Sequence, residues 1–149
     1  MENPITVETT VNAPLAKVWE AWTKPKHITK WAFASSDWEA PSAENDLQVG
    51  GKFTTRMAAK DGSAGFDFAG TYTAVKAHEL IEYDMDGDDH RHVKVEFKEE
   101  PEGMSAEASA KEGVKITVIF DPENENPIEM QKDGWQAISD NFKKYVESI

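Results

Sequence analysis

Cysteine is absent from the 149-residue sequence. That excludes disulfides, thiolate metal sites, a cysteine nucleophile and redox switching, so every stabilising contact is non-covalent. Basic residues are few: 16 Lys and Arg stand against 28 Asp and Glu, a formal charge of −12. Such a balance repels phosphate backbones and anionic lipid surfaces over about a Debye length, and nucleic acid is not an expected partner. No basic segment leading into an apolar run opens the chain, and no stretch approaches the ~20 apolar residues that a membrane span needs. The expectation is a soluble, cytoplasmic protein with no membrane insertion, whose acidity serves colloidal solubility.

The length suits one domain over residues 1–149, which at this size buries roughly 70% of the surface of the unfolded chain. Residues 5 to 11 alternate, with Ile5, Val7, Thr9 and Val11 on one side, as a half-buried strand requires. Asn12-Ala13-Pro14 then opens a short helix, with Pro14 suited to the first helical position and Leu15, Val18, Trp19 and Trp22 on one face. Pro25 ends it, and a second short helix over about 25–31 presents Ile28 and Trp31 to the same interior.

From Trp38 to Phe120 the period is that of strands, punctuated by turn residues. Asp46–Val49 and Phe53–Met57 read as strands flanking Gly50-Gly51, and Asp61-Gly62 as a tight turn. Phe66, Phe68, Gly70 and Tyr72 alternate, while Val75 and Leu80 fall out of phase with them and predict a bulge near residues 73–77. Inward rows follow at Ile81, Tyr83 and Met85, at Val93, Val95 and Phe97, and at Val114, Ile116, Val118 and Phe120. A meander of about six strands accounts for them. Residues 99–113 read as a long hairpin loop with enough helical propensity for a turn or two. Last comes a helix of about 21 residues and roughly 31 Å. Asn126 is its candidate N-cap, Pro127 its first position and Glu129 the capping-box partner. Ile128, Trp135, Ile138, Phe142, Tyr145 and Ile149 form its apolar stripe.

Strand, two short helices, antiparallel meander and long C-terminal helix together resemble the helix-grip fold of the START-like (SRPBCC) superfamily, an α+β architecture. Several segments narrow the resemblance: Asn12-Ala13-Pro14, Val18-Trp19-Glu20-Ala21-Trp22-Thr23, Trp31, Val49-Gly50-Gly51-Lys52-Phe53, Gly70 and Gly134-Trp135. In that order they are similar to the family homologous to the C-terminal domain of the activator of the 90-kDa heat-shock protein ATPase. The likeness spans essentially the whole chain. It departs in the long insert between Phe97 and Val114 and carries no catalytic signature. The resemblance implies a cavity between sheet and helix, and it suggests a chaperone protein as a second kind of partner.

Five tryptophans and seven phenylalanines are many for this length. Aromatics ordinarily fill cores, but a curved sheet gripped by one helix leaves a gap, and ligand sites are mostly apolar concavities. The candidate pocket residues are Trp22, Trp31, Phe53, Phe68, Tyr83, Phe97, Trp135, Ile138 and Phe142. Their expected occupant is an apolar or lipid-like small molecule, bound by a monomer without cofactor or catalysis.

Other features point to less. Gly50-Gly51 lacks the Gly-Lys-Ser/Thr and the following helix of a phosphate loop. Gly134 inside a helix costs about 1 kcal/mol against Ala, so close approach to the sheet or room for a ligand beside Trp135 is expected. The run from Asp84 to His92 fails the calcium-loop template, though His90 and His92 could share a strand face with a carboxylate around zinc. A solvated hairpin turn is the plainer reading. His27, His78 and Tyr83 are the side chains that a cyclase or hydrolase would use as acid or base.

Overall fold

The alternation of residues 5–11 produces β1 (Ile5–Val11), whose Ile5, Val7, Thr9 and Val11 are buried while the intervening side chains face outward. A computed structural model describes residues 4–33, 35–86, 91–99, 113–122 and 126–149. Two short helices follow, α1 (Leu15–Thr23) and α2 (Pro25–Ile28). Lys24 between them is extended, as the residue before a proline must be, and the change of direction lets both helices turn apolar faces to one interior. The second helix is shorter than the expected 25–31, the chain continuing as turns through Trp31.

Six further strands complete an α+β helix-grip architecture: β2 (Trp38–Asn45), β3 (Lys52–Ala59), β4 (Gly65–Lys76), β5 (Leu80–Met85), β6 (His92–Glu99) and β7 (Val114–Phe120). They form one curved antiparallel sheet of seven strands, in the order β1-β7-β6-β5-β4-β3-β2. The region from Trp38 to Phe120 holds the six strands expected, but its first is WEAPSAEN, which shows no clean alternation, contains Pro41 and is an edge strand with a register shift between Glu39 and Ser42. Asp46–Val49, expected as a strand, is a loop instead. Its Gln48 N–H donates to Asp46 O at 2.9 Å, and the Gly51 N–H donates to Gln48 O at 2.8 Å. Gly50 in this loop has φ +85°, a conformation that favours glycine.

The turn at Asp61-Gly62 joins β3 to β4, and the bulge falls between Tyr72 and Ala74. This bulge keeps Tyr72 inward while bringing Val75 opposite Ile81. Gly70 pairs with Phe53, and a Cβ there would lie 2.6 Å from Asp84 O and 2.9 Å from the Phe53 ring. No side chain fits between that ring and the neighbouring strand. The segment expected to be loop or short helix at 99–113 lies mostly outside the described residues.

The last element, α3 (Ile128–Ser148), is held along one side of the sheet. Trp135 stacks on Phe120 of β7 with centroids 4.1 Å apart and planes 15° apart. Gln136 Nε2 donates to Glu8 O at 2.9 Å and Lys143 Nζ to Thr10 O at 2.7 Å, so the helix satisfies carbonyls of the edge strand β1. Glu147 accepts from the Asn12 N–H at 2.8 Å. The expected capping box does not form. Pro127 is the N-cap, without a side-chain cap, and Gln131 Nε2 instead donates to Asn126 O at 2.7 Å. Pro14 likewise stands at the N-cap of α1 and not inside it.

Close packing does not explain Gly134, since a Cβ added there meets nothing within 4 Å. Gly134→Ala is therefore expected to raise stability by up to about 1 kcal/mol, the difference in helix propensity, measured as a higher midpoint in urea unfolding. A lower midpoint would show that the position needs its missing side chain.

Candidate functional site

Because α3 leans toward β1 and β7, the inward side chains of β3, β4 and β5 are not fully covered. A cavity of about 360 Å³ lies between them and the helix. Its walls come from Phe53, Thr55 and Met57 of β3, Phe66, Phe68 and Tyr72 of β4, and Ile81, Tyr83 and Met85 of β5. Opposite stand Trp135, Ile138 and Ser139 of α3, with Trp22, Ile28 and Trp31 at the end formed by the short helices. Protein interiors seldom contain voids larger than a water molecule, so a space this size is a pocket and not a packing fault.

Seven of the nine residues singled out from the sequence line this space: Trp22, Trp31, Phe53, Phe68, Tyr83, Trp135 and Ile138. Phe97 and Phe142 do not. Phe142, fully buried, packs against Trp22 at 4.9 Å and Trp31 at 4.8 Å, while Phe97 lies edge-on to Trp19 at 5.2 Å and Trp22 at 5.7 Å. These two rings back the wall from behind and fix the tryptophans in it. The indole N–H of Trp31 donates to Ala21 O at 2.9 Å, which further sets its orientation. Around the other end, Phe53 meets Tyr83 at 4.8 Å and Tyr72 at 5.2 Å.

Polar groups outside the candidate pocket residues also reach the cavity: Asn45, Thr55, Asp67, Tyr72, Asp86, Arg91 and Ser139. The Tyr72 hydroxyl donates to Asn45 Oδ1 at 2.5 Å, and Asn45 Nδ2 donates to Thr23 O at 2.6 Å. That relay ties β4 to β2 and to the end of α1. Burial pushes both phenols well above their ordinary pKa. The Asn45 bond opposes this at Tyr72, the Arg91 charge opposes it at Tyr83, and neither overcomes it. Both phenols therefore keep their protons at neutral pH.

With the geometry in place, comparison with known proteins is decisive at the level of family. The family described as Activator of Hsp90 ATPase homolog 1-like protein (AHSA1) matches residues 12–147. The chain belongs to this family. An AHSA1-like protein from Aeromonas hydrophila, solved in solution, is 43% identical over 97% of this chain and 92% of its own, with TM-score 0.84. A protein from Cytophaga hutchinsonii is 48% identical over 98% and 93%, with TM-score 0.76. One from Nitrosomonas europaea, 15% identical over 97% and 94% with TM-score 0.77, supports the fold alone. No curated protein matches the chain.

In this AHSA1-like chain the histidines considered as acids or bases lie off the cavity. His27 Nδ1 is 2.5 Å from the Tyr145 hydroxyl, and His78 sits exposed in the β4–β5 turn with φ 67°, edge-on to Trp19. Of the suggested metal run, residues 87–90, His90 among them, lie outside the described residues. His92 is committed elsewhere: Nδ1 meets Asp84 at 2.6 Å and Nε2 meets Glu82 at 2.9 Å, on the outer face of the sheet. Among the described residues no group of three or more ligating side chains is arranged to hold a metal ion.

Both nitrogens of His92 face carboxylates, and only the imidazolium donates from both. Burial works against the charged ring, yet the bonds to Asp84 and Glu82 outweigh it and raise the pKa. A group whose pKa is raised by folding stabilises the fold fully below its unfolded value, about 6.5, and loses that contribution as pH rises through the folded value. The urea midpoint of the wild type should therefore exceed that of His92→Gln most at about pH 5.5, the gap narrowing by about pH 8.5. A gap that is constant with pH would remove the charge from the account.

Proposed function

We propose that this chain binds an apolar or amphipathic small molecule in the cavity between the sheet and α3, and that it does so without catalysing a reaction on it. The observation that carries the reading is the 360 Å³ space itself, walled by aromatic rings from the sheet, from α3 and from the short helices. Burial of apolar surface is worth about 25 cal/mol per Å², which makes such a wall a binding surface for any molecule that fills it. Phe66, 49% exposed and part of the lining, marks the side on which the space meets solvent.

The absence of turnover is supported by the chemistry of the lining. Among the described residues no imidazole borders the cavity, and the Tyr72 hydroxyl is engaged with Asn45. Among the described lining residues no hydrogen bond joins a nucleophile to a base of the kind that acyl or glycosyl transfer requires, and of the three candidate acids or bases only Tyr83 borders the space. Membership of the AHSA1-like family agrees with a pocket of this kind and leaves the ligand to be found.

A library of apolar compounds screened by thermal unfolding tests the reading. A ligand present at 100 times its dissociation constant adds about 2.7 kcal/mol of stability, and with Trp22, Trp31 and Trp135 in the wall it also changes tryptophan fluorescence. Mass spectrometry of the recovered compound should show it unaltered. Chemical conversion would overturn the non-catalytic part, and a library without a single stabilising compound would overturn the whole.

A further inference from the structure

We infer that the cavity is built for a neutral, oxygen-bearing apolar molecule, and not for a plain hydrocarbon or a fatty carboxylate, because three hydroxyls that face it have no hydrogen-bond partner among the described residues. This rests on the binding reading above and makes its ligand class specific. Thr55, Tyr83 and Ser139 are 6%, 7% and 3% exposed, and all three border the cavity. Among the described residues none of the three side chains makes a hydrogen bond, and their oxygens are open to the cavity and not sealed within the fold. The contrast with Tyr72, whose hydroxyl is satisfied by Asn45, shows that the fold can supply a partner where one is needed.

A hydroxyl that faces a cavity is hydrogen-bonded by water or by the molecule that displaces it, and a ligand that cannot replace the bond loses affinity. Partners for these three come from what occupies the space they face. The hydroxyls belong to β3, β5 and α3, so they stand on opposed walls and address different parts of an occupant. Between them lie Phe68, Ile81 and Trp135, which suit a largely apolar skeleton. Tyr83, protonated at neutral pH as an ordinary phenol is, offers a donor to a carbonyl or hydroxyl oxygen.

Charge argues against an anion. Asp67, paired with Arg56 at 3.4 Å, and Asp86 border the cavity alongside the guanidinium of Arg91, and the chain as a whole carries −12. A ligand carboxylate would meet no net positive field there, and an aliphatic chain would leave the three hydroxyls unmatched.

Isothermal titration with 2-naphthol, 2-methylnaphthalene and 2-naphthoate tests this, because the first two have the same shape and differ in a hydroxyl against a methyl. The wild type should bind 2-naphthol about fivefold or more tightly than 2-methylnaphthalene, the gain of about one net hydrogen bond, and 2-naphthoate most weakly. In a Thr55→Val, Tyr83→Phe, Ser139→Ala triple variant the preference for the hydroxyl should fall to about onefold or below. Each substitution made singly should leave the ligand-free melting temperature unchanged or raised, since no bond within the fold is lost. Equal or tighter binding of 2-methylnaphthalene, strongest binding of 2-naphthoate, or a preference surviving in the triple variant would overturn the inference while ligand binding stood. So would a lowered melting temperature in all three single variants. Silence from all three probes, together with no stabilising compound in the library, would overturn both the inference and the reading beneath it.

Discussion

The stack of Trp135 on Phe120 determines where everything else can be. It fixes the long helix over β7, and the bonds from Gln136 and Lys143 to the carbonyls of β1 fix it along the sheet edge. A helix placed at the centre of the sheet would have closed over Phe53, Phe68 and Tyr83 and left an ordinary core. Placed to one side, it leaves the β3–β5 half of the inner surface facing open space. The polar bonds matter for position more than for strength, since several are partly exposed and each is worth only about 1 kcal/mol. Stability comes mainly from the buried rows of β1, β6 and β7 and from Phe142 beneath the helix.

The inner surface divides into two aromatic groups with different tasks. Trp19, Trp22, Trp31, Phe97 and Phe142 pack ring against ring and form a rigid end wall. Phe53, Phe68, Tyr72 and Tyr83 lie over the sheet, where Gly70 provides the room for the Phe53 ring. The first group holds the shape of the cavity and the second supplies most of its floor. On the opposite face of the sheet His92 bridges Asp84 and Glu82.

Much of this was legible in the sequence, for reasons that also explain what was not. The alternation of β1 and β7 and the middle of the α3 stripe are periodic over seven residues or more and persist in the structure, whereas Ile128 and Ile149, expected in that stripe, are exposed at the helix ends. β2 escaped because Pro41 and a register shift erase alternation at a sheet edge. The cap of α3 was misplaced by one residue because Asn126 and Glu129 have the right spacing but Pro127 takes the terminal position. Residue type told that Phe97 and Phe142 are interior. Whether an interior ring lines a cavity or stands behind it depends on the lateral position of one helix, which no local pattern encodes. Thr55 and Ser139 gave no signal either, since a lone hydroxyl in an apolar row resembles any other small residue until its lack of a partner is seen.

The pairing of β1 with β7 carries a consequence for biosynthesis. Ile5 lies opposite Phe120 and Val11 opposite Val114, so β1 is translated well before the strand it pairs with. Throughout that interval its alternating apolar face has no neighbour, and the helix that protects its outer edge is still untranslated. Such non-local closure is slow compared with hairpin formation between adjacent strands. Until then the sheet is partial, and the chamber closes only when β1, β7 and α3 come together.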